Sequence, residues 1–326
     1  MPVPFHPSPA SAPLYLPSSE IWIISRYADV SCALAAPELS QPHIVDPGSE
    51  DAAHAALKTA VQADIERLSG EEWHRRAGDL LDDLLACACS WQHCDLVADV
   101  IHPWTTRMIV DLNAQTNQAR PIARISKELL LGAGTNSKQR QSAADRAIDR
   151  MIQARTLTLS KSMFFGFSQT LSSYLSKSWL ALLLHPQQCE QLLANPTLTA
   201  NATGELLRYA GVVHTIRRAA NADVCIGSAC IHRGQIVLLE VDSANFDPAR
   251  FDNPHQLDFT RRGGGHLALG RGLHACVGSY LVRMASCVAI PKFVEAGLML
   301  DPNREVVWTG DRTLLWPLVV PVTLRS

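Results

Sequence analysis

The decisive stretch of this sequence is Leu269-Gly270-Arg271-Gly272-Leu273-His274-Ala275-Cys276-Val277-Gly278. It places Cys276 in a glycine-rich turn, and an apolar, helix-compatible run follows from Val277 to about Val294. Glycine lets the backbone turn tightly and pass close to a flat bound group. Backbone N–H groups of such a turn, with the positive end of the following helix, favour the charged thiolate over the thiol. The stretch therefore predicts a cysteine that is placed to ligate a soft metal centre such as a heme iron.

Four further motifs occur at ordered positions around this stretch. They are Glu205-Leu206-Leu207-Arg208, Ala244–Phe251, Asp258–Arg261 and His185-Pro186, the last at the end of a long helical pattern. Together with Gly-x-Gly-x-His-x-Cys-x-Gly, this set resembles the cytochrome P450 family, in order and in spacing. The resemblance runs from about Glu20 to near the C-terminus and is densest after Leu182.

The resemblance implies a mostly α fold with a small β portion, the triangular prism fold of cytochrome P450. A chain of 326 residues can bury one large core, so we expect a single heme-binding domain over residues 1–326. Apolar periodicity predicts helices over Ala28–Ala36, Ala52–Leu68, Glu72–Ala88, Asp95–Asp111, Ile125–Leu131, Ala143–Leu184 with a break near Thr156–Ser160, Gln187–Ala194 and Ala202–Ala210. Strands are expected over Ile21–Tyr27, Asp223–Ile226 and Gln235–Glu240, the last two around a turn at His232-Arg233-Gly234.

The resemblance implies heme b as the cofactor, with Cys276 as the axial thiolate. The family's loop residues map onto Leu269, Gly270 and Gly278, and Gly166 maps onto the opposite face of the heme. The cysteine ligand favours O–O cleavage at the iron.

Two heme propionates need cationic or hydrogen-bonding partners. His54 and Lys58 lie four residues apart and resemble the family's His-x-x-x-Arg pair; lysine keeps the charge but loses the bidentate fork. A solvated helix face is the competing interpretation of this pair. The spacing from Asp223 favours Arg218 as a further partner, whereas counting from Arg208 favours Arg217. His274 completes the set.

The resemblance assigns Glu205, Arg208 and Arg261 to a buried ion network that holds the cysteine loop. Such a network does no chemistry itself. A buried charge is costly unless it is fully paired, so we expect the loss of one member to prevent heme retention.

The oxygen side departs from the family pattern. Gly166-Phe167-Ser168-Gln169-Thr170 aligns with Ala/Gly-Gly-x-Asp/Glu-Thr, so Thr170 is retained and Gln169 replaces the acid. We expect Thr170 and Gln169 to be the catalytic candidates, although an amide cannot relay a proton by ionising. Phe167 puts a ring where a groove for dioxygen is expected. The alternative is that the phenylalanines are core residues and that Thr170 bonds a backbone carbonyl.

Two regions that normally cover the substrate are short. Only Gln41 to Val45 separate Leu39-Ser40 from Asp46-Pro47, and the segment from Leu112 to Gly166 is also brief. These are the B–C and F–G regions of the family. Loops tolerate deletion better than cores, so a folded protein with an open distal pocket is expected. A bulky substrate, a second copy of the chain or a carrier protein that presents a tethered substrate would close it.

The resemblance implies a monooxygenase that oxidises a small-molecule or carrier-bound intermediate of specialised metabolism. Its electrons would come from a ferredoxin with its reductase, or from a flavodoxin-type donor; Arg271 is a candidate docking residue for such an acidic partner. The changes at Gln169 and Phe167 leave two alternatives open. One is a peroxide-driven reaction, a dehydration or a rearrangement at the iron; the other is a non-catalytic heme-binding module for recruitment or sensing.

Composition and the N-terminal sequence bear on the class of binding partner and on the cellular compartment of the protein. The net charge of −2 gives no reason to expect nucleic acid or an anionic membrane surface. We predict a cytoplasmic protein, because the N-terminal residues show neither an apolar span nor a signal-peptide pattern. The segment Cys87-Ala88-Cys89 with His93 and Cys94 could be a zinc cluster, but its spacing fits no common zinc motif. A helix that packs its cysteines inward is the favoured interpretation.

Overall fold

The structure, a computed structural model, describes residues 9, 12–41, 47–68, 70–90, 94–113, 116–134, 137–262, 264–309 and 315–324. Residues 42–46, which include most of the first shortened segment, lie outside these ranges. Helices dominate the described residues. They are α1 (Tyr27–Ala35), α2 (Pro47–Leu68), α3 (Glu71–Ser90), α4 (His102–Leu112), α5 (Ala119–Gly134), α6 (Lys138–Gln153), α7 (Lys161–Phe165), α8 (Ser172–Leu184), α9 (Pro186–Ala194), α10 (Thr199–Tyr209), α11 (Val241–Asn245) and α12 (Ser279–Glu295).

The long helical pattern before His185 is broken where the sequence predicts. Helix α6 ends at Gln153, and helical structure resumes at Lys161. The side chain of Asn113 fixes the break: its Nδ2 donates to the carbonyl of Thr156 at 3.0 Å, and its Oδ1 accepts from the N–H of Thr158 at 3.0 Å. A side-chain amide that satisfies backbone groups in this way competes with helix formation.

The stretch after α4 forms more helix than the pattern predicts. Helix α5 begins at Ala119 rather than near Ile125, since Pro121 lies in its first turn, where proline is tolerated. Helix α6 packs along α5, and its first turn is capped by the hydroxyl of Ser137. These two helices form most of the described part of the second shortened region.

The β portion is small. Its strands are β1 (Leu14–Leu16), β2 (Ile21–Ile24), β3 (Leu39–Ser40), β4 (Cys94–Asp95), β5 (Thr215–Ala220), β6 (Val224–Ile226), β7 (Ala229–Ile231), β8 (Ile236–Glu240), β9 (Leu298–Leu300), β10 (Val307–Trp308), β11 (Pro317–Val319) and β12 (Pro321–Leu324). The largest sheet has the order β1-β2-β8-β5-β3. Strand β8 is its centre, parallel to β2 and antiparallel to β5.

The expected relation between the strands near His232 is wrong in one respect. The turn is present, because the N–H of Gln235 donates to the carbonyl of His232 at 3.0 Å. However, β6 does not pair with β8 across this turn. Strand β6 pairs with β7 in a separate hairpin, and β8 pairs with β5 and β2. The buried face of β8 finds its apolar partners in the larger sheet.

One extended apolar core joins the helices on both sides of the candidate site. The rings of Trp179 on α8 and Phe293 on α12 stack with centroids 4.4 Å apart, and neither is more than 3% exposed. Helix α12 directly follows the cysteine loop. Its packing against α8 therefore fixes the loop relative to the helix after the oxygen-side motif. Within the described ranges, no helix combines the length and apolarity that crossing a bilayer requires.

Candidate active site

The cysteine loop is held by its own backbone. The N–H of Cys276 donates to the carbonyl of Leu269 at 2.7 Å, and a 3₁₀ turn covers Gly272–His274. Two glycines, Gly270 and Gly272, have φ of +68° and +72°, a region that other residues rarely adopt. The loop thus returns on itself and presents the cysteine just before α12.

Gly272 is also required by its surroundings. A Cβ built there would lie 2.9 Å from the Cα of Ala35 and 3.0 Å from the carbonyl oxygen of Leu34. The neighbouring Arg271 donates from Nη1 to the hydroxyl of Ser31 at 2.6 Å. Helix α1 therefore supports the loop from outside, through a contact that only glycine allows.

Cys276 lies at a cavity of about 600 Å³ between the loop and α2. The cavity is lined by Lys58, Thr59, Gln62, Ala63, Glu66, Ala275, Cys276 and Val277. Burial raises the pKa of the Cys276 thiol, and a hydrogen bond from the backbone of Gly278 partly offsets this rise. A bound metal cation would deprotonate such a thiol.

The residues present fit a heme. The cavity lies within the roughly 300–1,000 Å³ that small-molecule and cofactor sites occupy. Its wall combines a soft sulfur ligand, Cys276, with a cation, Lys58, that can pair with a propionate. Lys58 is exposed on α2 and lines this cavity, and the side chain of its expected partner His54 lies outside the described residues.

The two arginines that the sequence could not separate differ in burial. Arg218 is 7% exposed, and its Nη1 donates to the carbonyl of Arg217 at 3.2 Å, whereas the Arg217 side chain is exposed. Both lie on β5, where successive side chains point to opposite faces. His274 is half-buried in the 3₁₀ turn of the cysteine loop. Burial favours Arg218 as the propionate partner.

Glu205, Arg208 and Arg261 form one ion cluster. Arg208 donates from Nε to Glu205 Oε2 at 2.9 Å and from Nη2 to Oε1 at 2.8 Å, and Arg261 Nε donates to the same Oε1 at 3.0 Å. The Arg208 side chain is 2% exposed and that of Glu205 is 5% exposed. The carboxylate thus neutralises a guanidinium that has no access to bulk water.

Asn245 connects this ion cluster to the cysteine loop. Its carbonyl accepts from Arg208 Nη1 at 3.0 Å, and its Oδ1 accepts from the N–H of Leu267 at 2.7 Å. Asn245 is 1% exposed. Asn245 was not among the predicted site residues, although it lies inside the Ala244–Phe251 motif.

The oxygen-side motif forms a π-helical turn, Gly166–Leu171, between α7 and α8. Thr170 is exposed, Gln169 is half-buried, and a Cβ at Gly166 would meet no heavy atom of the described residues within 4 Å. Phe167 is fully buried in the core, so the expectation that its ring fills a groove for dioxygen is replaced by the core-packing alternative. Within this turn the Phe167 ring therefore faces the core, whereas Thr170 is exposed.

A buried polar chain lies beside this region and was missed. Lys177 Nζ donates to the carbonyl of Gly211 at 2.8 Å and lies 3.1 Å from His214 Nε2. His214 Nδ1 lies 3.1 Å from Asp242 Oδ2. Burial lowers the pKa of Lys177, and the charge of Asp242 opposes this shift. One signal was available: Lys177 is the single charge in the apolar run from Tyr174 to Leu184.

The cysteines of α3 and β4 do not gather into a metal cluster. Cys87 is exposed, Cys89 is half-buried and Cys94 is buried, and His93 lies outside the described residues. Among the residues that are described, no group of three metal-ligating side chains occurs. The inward-packing interpretation is wrong for Cys87, because residues two apart on a helix do not share a face.

Comparisons with known proteins show which family and which fold this chain is similar to. A family model described as Cytochrome P450 matches residues 181–296. Cytochrome P450 CYP107DY1 of Priestia megaterium is 40% identical over 142 residues, which are 42% of this chain and 35% of that relative. The 20-oxo-5-O-mycaminosyltylactone 23-monooxygenase of Streptomyces fradiae is 30% identical over 336 residues, which cover 88% of this chain and 79% of that relative. That alignment is longer than the chain of 326 residues, so it includes positions that this chain lacks.

The solved structures extend the match to the whole fold. The versatile cytochrome P450 enzyme CYP109B1 from Bacillus subtilis aligns with a TM-score of 0.77 over 96% of both chains, at 20% identity. At this identity the likeness shows the fold alone. The mostly α architecture with small sheets, predicted from the sequence, is confirmed.

Proposed function

Because the chain belongs to the cytochrome P450 family, we propose that it is a heme-thiolate monooxygenase built as one heme-binding domain over residues 1–326. The observation that carries this proposal is the position of Cys276, in a glycine loop at the edge of a cavity large enough for a cofactor. Heme b, when bound, would supply the activation of dioxygen. The chain's own residues would hold the cofactor, orient it and control the access of water and protons.

The proximal residues would hold the heme in a defined way. Cys276 would be the iron ligand, and the Gly278 N–H would stabilise its negative charge. Leu269 and Gly270 would form the surface under the macrocycle, and Gly270 has no Cβ to collide with the carbonyl of His274, 3.3 Å away. The position of the sulfur is thereby determined by the backbone conformation of the glycine-rich loop.

The propionates would be held by cations from two sides. Lys58 lies at the cavity of Cys276, which supports its role at one edge of the macrocycle. Arg218 and His274 would be the other partners of the propionates. Arg217 is a weaker candidate for this role because its side chain is exposed. Buried guanidinium–carboxylate contacts are stronger than exposed ones, so Arg218 would contribute most.

The distal residues would manage protons without a carboxylic acid. Thr170 would hold a water through its hydroxyl, and Gln169 would position a second water by hydrogen bonding. The exposure of Thr170 and the open space beside Gly166 support a pocket that is closed only when substrate is bound. Water exclusion on closure strengthens the electrostatic interactions that the reaction needs.

The replacement of the acid by Gln169 favours a second candidate. A peroxide already carries the protons and electrons that the missing acid and a redox partner would deliver. A peroxide-driven reaction at this site would therefore not need a carboxylic acid at position 169. A dehydration or a rearrangement at the iron is the other form of this second candidate.

We propose a small-molecule or carrier-bound intermediate of specialised metabolism as the substrate. The similarity to a monooxygenase of a glycosylated tylactone supports a substrate of that kind, and the exposure of Thr170 supports one presented by a carrier protein. Electrons would come from a ferredoxin with its reductase or from a flavodoxin-type protein. A second copy of the chain is the other means of covering the pocket.

The experiment that tests the proposed function is substrate-dependent consumption of NADH with surrogate ferredoxin partners, alongside peroxide without any partner. Consumption coupled to an oxygenated product supports the monooxygenase. Turnover with peroxide alone supports the second candidate. If the heme-loaded protein shows neither coupled NADH consumption nor peroxide turnover with any substrate tested, both enzymatic candidates are contradicted. That result would favour the non-catalytic heme-binding module.

A further inference from the structure

The hairpin β6–β7 has a register fixed by its turn. Gly227 and Ser228 join the strands, and Ile226 pairs with Ala229 across them. Gly227 has φ of +58°, as the first central position of a type II′ turn requires. A two-residue turn leaves no freedom in strand alignment. The next pair along, Cys225 and Cys230, is therefore held directly opposite.

The two cysteines lie on the outer face of this hairpin. Val224 and Cys225 precede buried Ile226, and Cys230 lies between buried Ala229 and buried Ile231. The alternation of a strand thus directs both sulfurs to solvent while the neighbours anchor the hairpin in a core cluster. Both cysteines are exposed, and their Sγ atoms lie 3.5 Å apart.

The backbone on both sides of the pair is fastened. The Asp223 carboxylate accepts from the N–H of Arg233 at 2.8 Å and lies 3.2 Å from His232 Nδ1. At the turn, a Cβ on Gly227 would lie 2.6 Å from Asp29 Oδ1, so the hairpin packs tightly on α1. Strand opening would have to break these contacts, so the two sulfurs stay near each other.

The geometry meets the requirements of a disulfide. Directly opposite residues of an antiparallel pair have Cα atoms about 4.5–5.5 Å apart, and disulfides span Cα distances of about 4.4–6.8 Å. The pair that follows the turn-flanking residues is a non-hydrogen-bonded one, in which side chains approach most closely. Side-chain rotation alone would bring the sulfurs to bonding distance, about 2.05 Å.

We propose that Cys225 and Cys230 form a surface dithiol site that reacts with low-molecular-weight disulfides to give an intrachain disulfide. One thiolate attacks the reagent RSSR, forms a mixed disulfide and releases RS⁻. The second thiolate then attacks the protein sulfur of that mixed disulfide and releases another RS⁻. Two protein thiols are oxidised, one RSSR is reduced to two RSH, and the two thiol protons end on the released thiols.

The pair is distinguished from the other exposed cysteines of the described chain. Cys32, Cys87 and Cys287 lie on three different helices, α1, α3 and α12. The hydrogen bond that the Cys225 thiol shares with Cys230 raises the pKa of Cys225 from its usual value. Exchange is expected to accelerate as the pH rises, because the thiolate is the attacking form.

The test uses the full-length, fully reduced protein and oxidised glutathione as the probe, with peptide mapping by mass spectrometry. We expect the peptides of Cys225 and Cys230 to be cross-linked with the loss of two hydrogens, and Cys32 to carry a glutathione adduct. Dithiothreitol should restore both thiols. In Cys230→Ser, Cys225 should keep the glutathione instead, because the resolving thiol is gone.

A second measurement distinguishes proximity from general reactivity. Phenylarsine oxide, which bridges two thiols, should bind the wild type in a one-to-one ratio. Binding should be lost in Cys225→Ser and in Cys230→Ser but kept in the control Cys32→Ser. Stable glutathione adducts at both positions of the wild type, no reaction at either position, or arsenical binding unchanged in the two serine variants would each overturn the proposal.

Discussion

Glu205 carries a buried charge whose removal has a calculable cost. In Glu205→Ala, the carboxylate that accepts three hydrogen bonds from Arg208 and Arg261, and one from the Asp258 N–H at 3.2 Å, is lost. Arg208, 2% exposed, then stays in the core as an uncompensated cation. Breaking a buried pair from one side costs about 3–5 kcal/mol of unfolding free energy. With urea m-values of about 1–3 kcal/mol/M, the midpoint should fall by about 1 M or more.

The chain supplies a matched control for this variant. Glu72 pairs with Arg75 at the same i,i+3 spacing and the same 2.8 Å, but both side chains are more than 60% exposed. An exposed pair contributes about 0–1 kcal/mol, so Glu72→Ala should leave the urea midpoint nearly unchanged. The comparison separates the effect of burial from that of the ion pair.

The assay is urea unfolding followed by circular dichroism, together with heme retention measured from the Soret absorbance after gel filtration. Arg208 also bonds Asn245, whose side chain holds Leu267 of the cysteine loop, so Glu205→Ala should lose heme. Equal destabilisation by Glu205→Ala and Glu72→Ala, or normal heme retention by Glu205→Ala, would refute the reasoning.

Three further predictions concern Lys177, Gly272 and His266. Lys177→Met removes the buried amine that donates to the carbonyl of Gly211 and interacts with the charge of Asp242 across His214. This change should cost about 1–3 kcal/mol in urea unfolding, less in an Asp242→Asn background. Gly272→Ala places a Cβ 2.9 Å from the Cα of Ala35 at a φ of +72°, so heme loading should fall at unchanged helix content. Burial lowers the pKa of His266 to about 4. The unfolded chain protonates this histidine below about pH 6.5, whereas the folded chain does so only near pH 4, so the free energy of unfolding falls between these pH values. In His266→Asn this fall should be smaller by about 3 kcal/mol.

The controls for these predictions are also in the chain. Lys161→Met removes a cation that is 35% exposed and should cost little. Gly234→Ala tests positive φ without a clash, since no heavy atom of the described residues lies within 4 Å of the added Cβ. Equal losses in the Lys177 and Lys161 variants, full heme loading of Gly272→Ala, or an unchanged pH profile in His266→Asn would contradict the respective prediction.

The ion pair of Glu205 with Arg208 and the tight turn of the cysteine loop agree with the sequence prediction because both depend on local spacing. Glu205 and Arg208 are one helical turn apart, so their pairing follows from the helix itself. The glycines before Cys276 predict a tight turn with backbone angles that other residues rarely adopt. The positive φ of Gly270 and Gly272 agrees with this prediction. The break after Gln153 was likewise visible.

The features that were missed depend on tertiary contacts. Lys177 lies on α8, Asp242 lies on α11 and His214 lies just before β5, and no sequence spacing links the three. The pairing of β8 with β2 depends on which apolar faces meet, which a turn motif does not determine. The sequence spacing placed Phe167 at the expected groove, whereas its burial depends on core neighbours that the spacing does not determine.

The most direct test of the account is the absorbance of the dithionite-reduced, heme-loaded protein under carbon monoxide. A charged sulfur opposite the gas gives a strongly red-shifted Soret band, which we predict for the wild type and predict to be absent in Cys276→Ser. A wild-type spectrum without that band, or a red-shifted band that persists in Cys276→Ser, would contradict the assignment of Cys276 as the axial ligand.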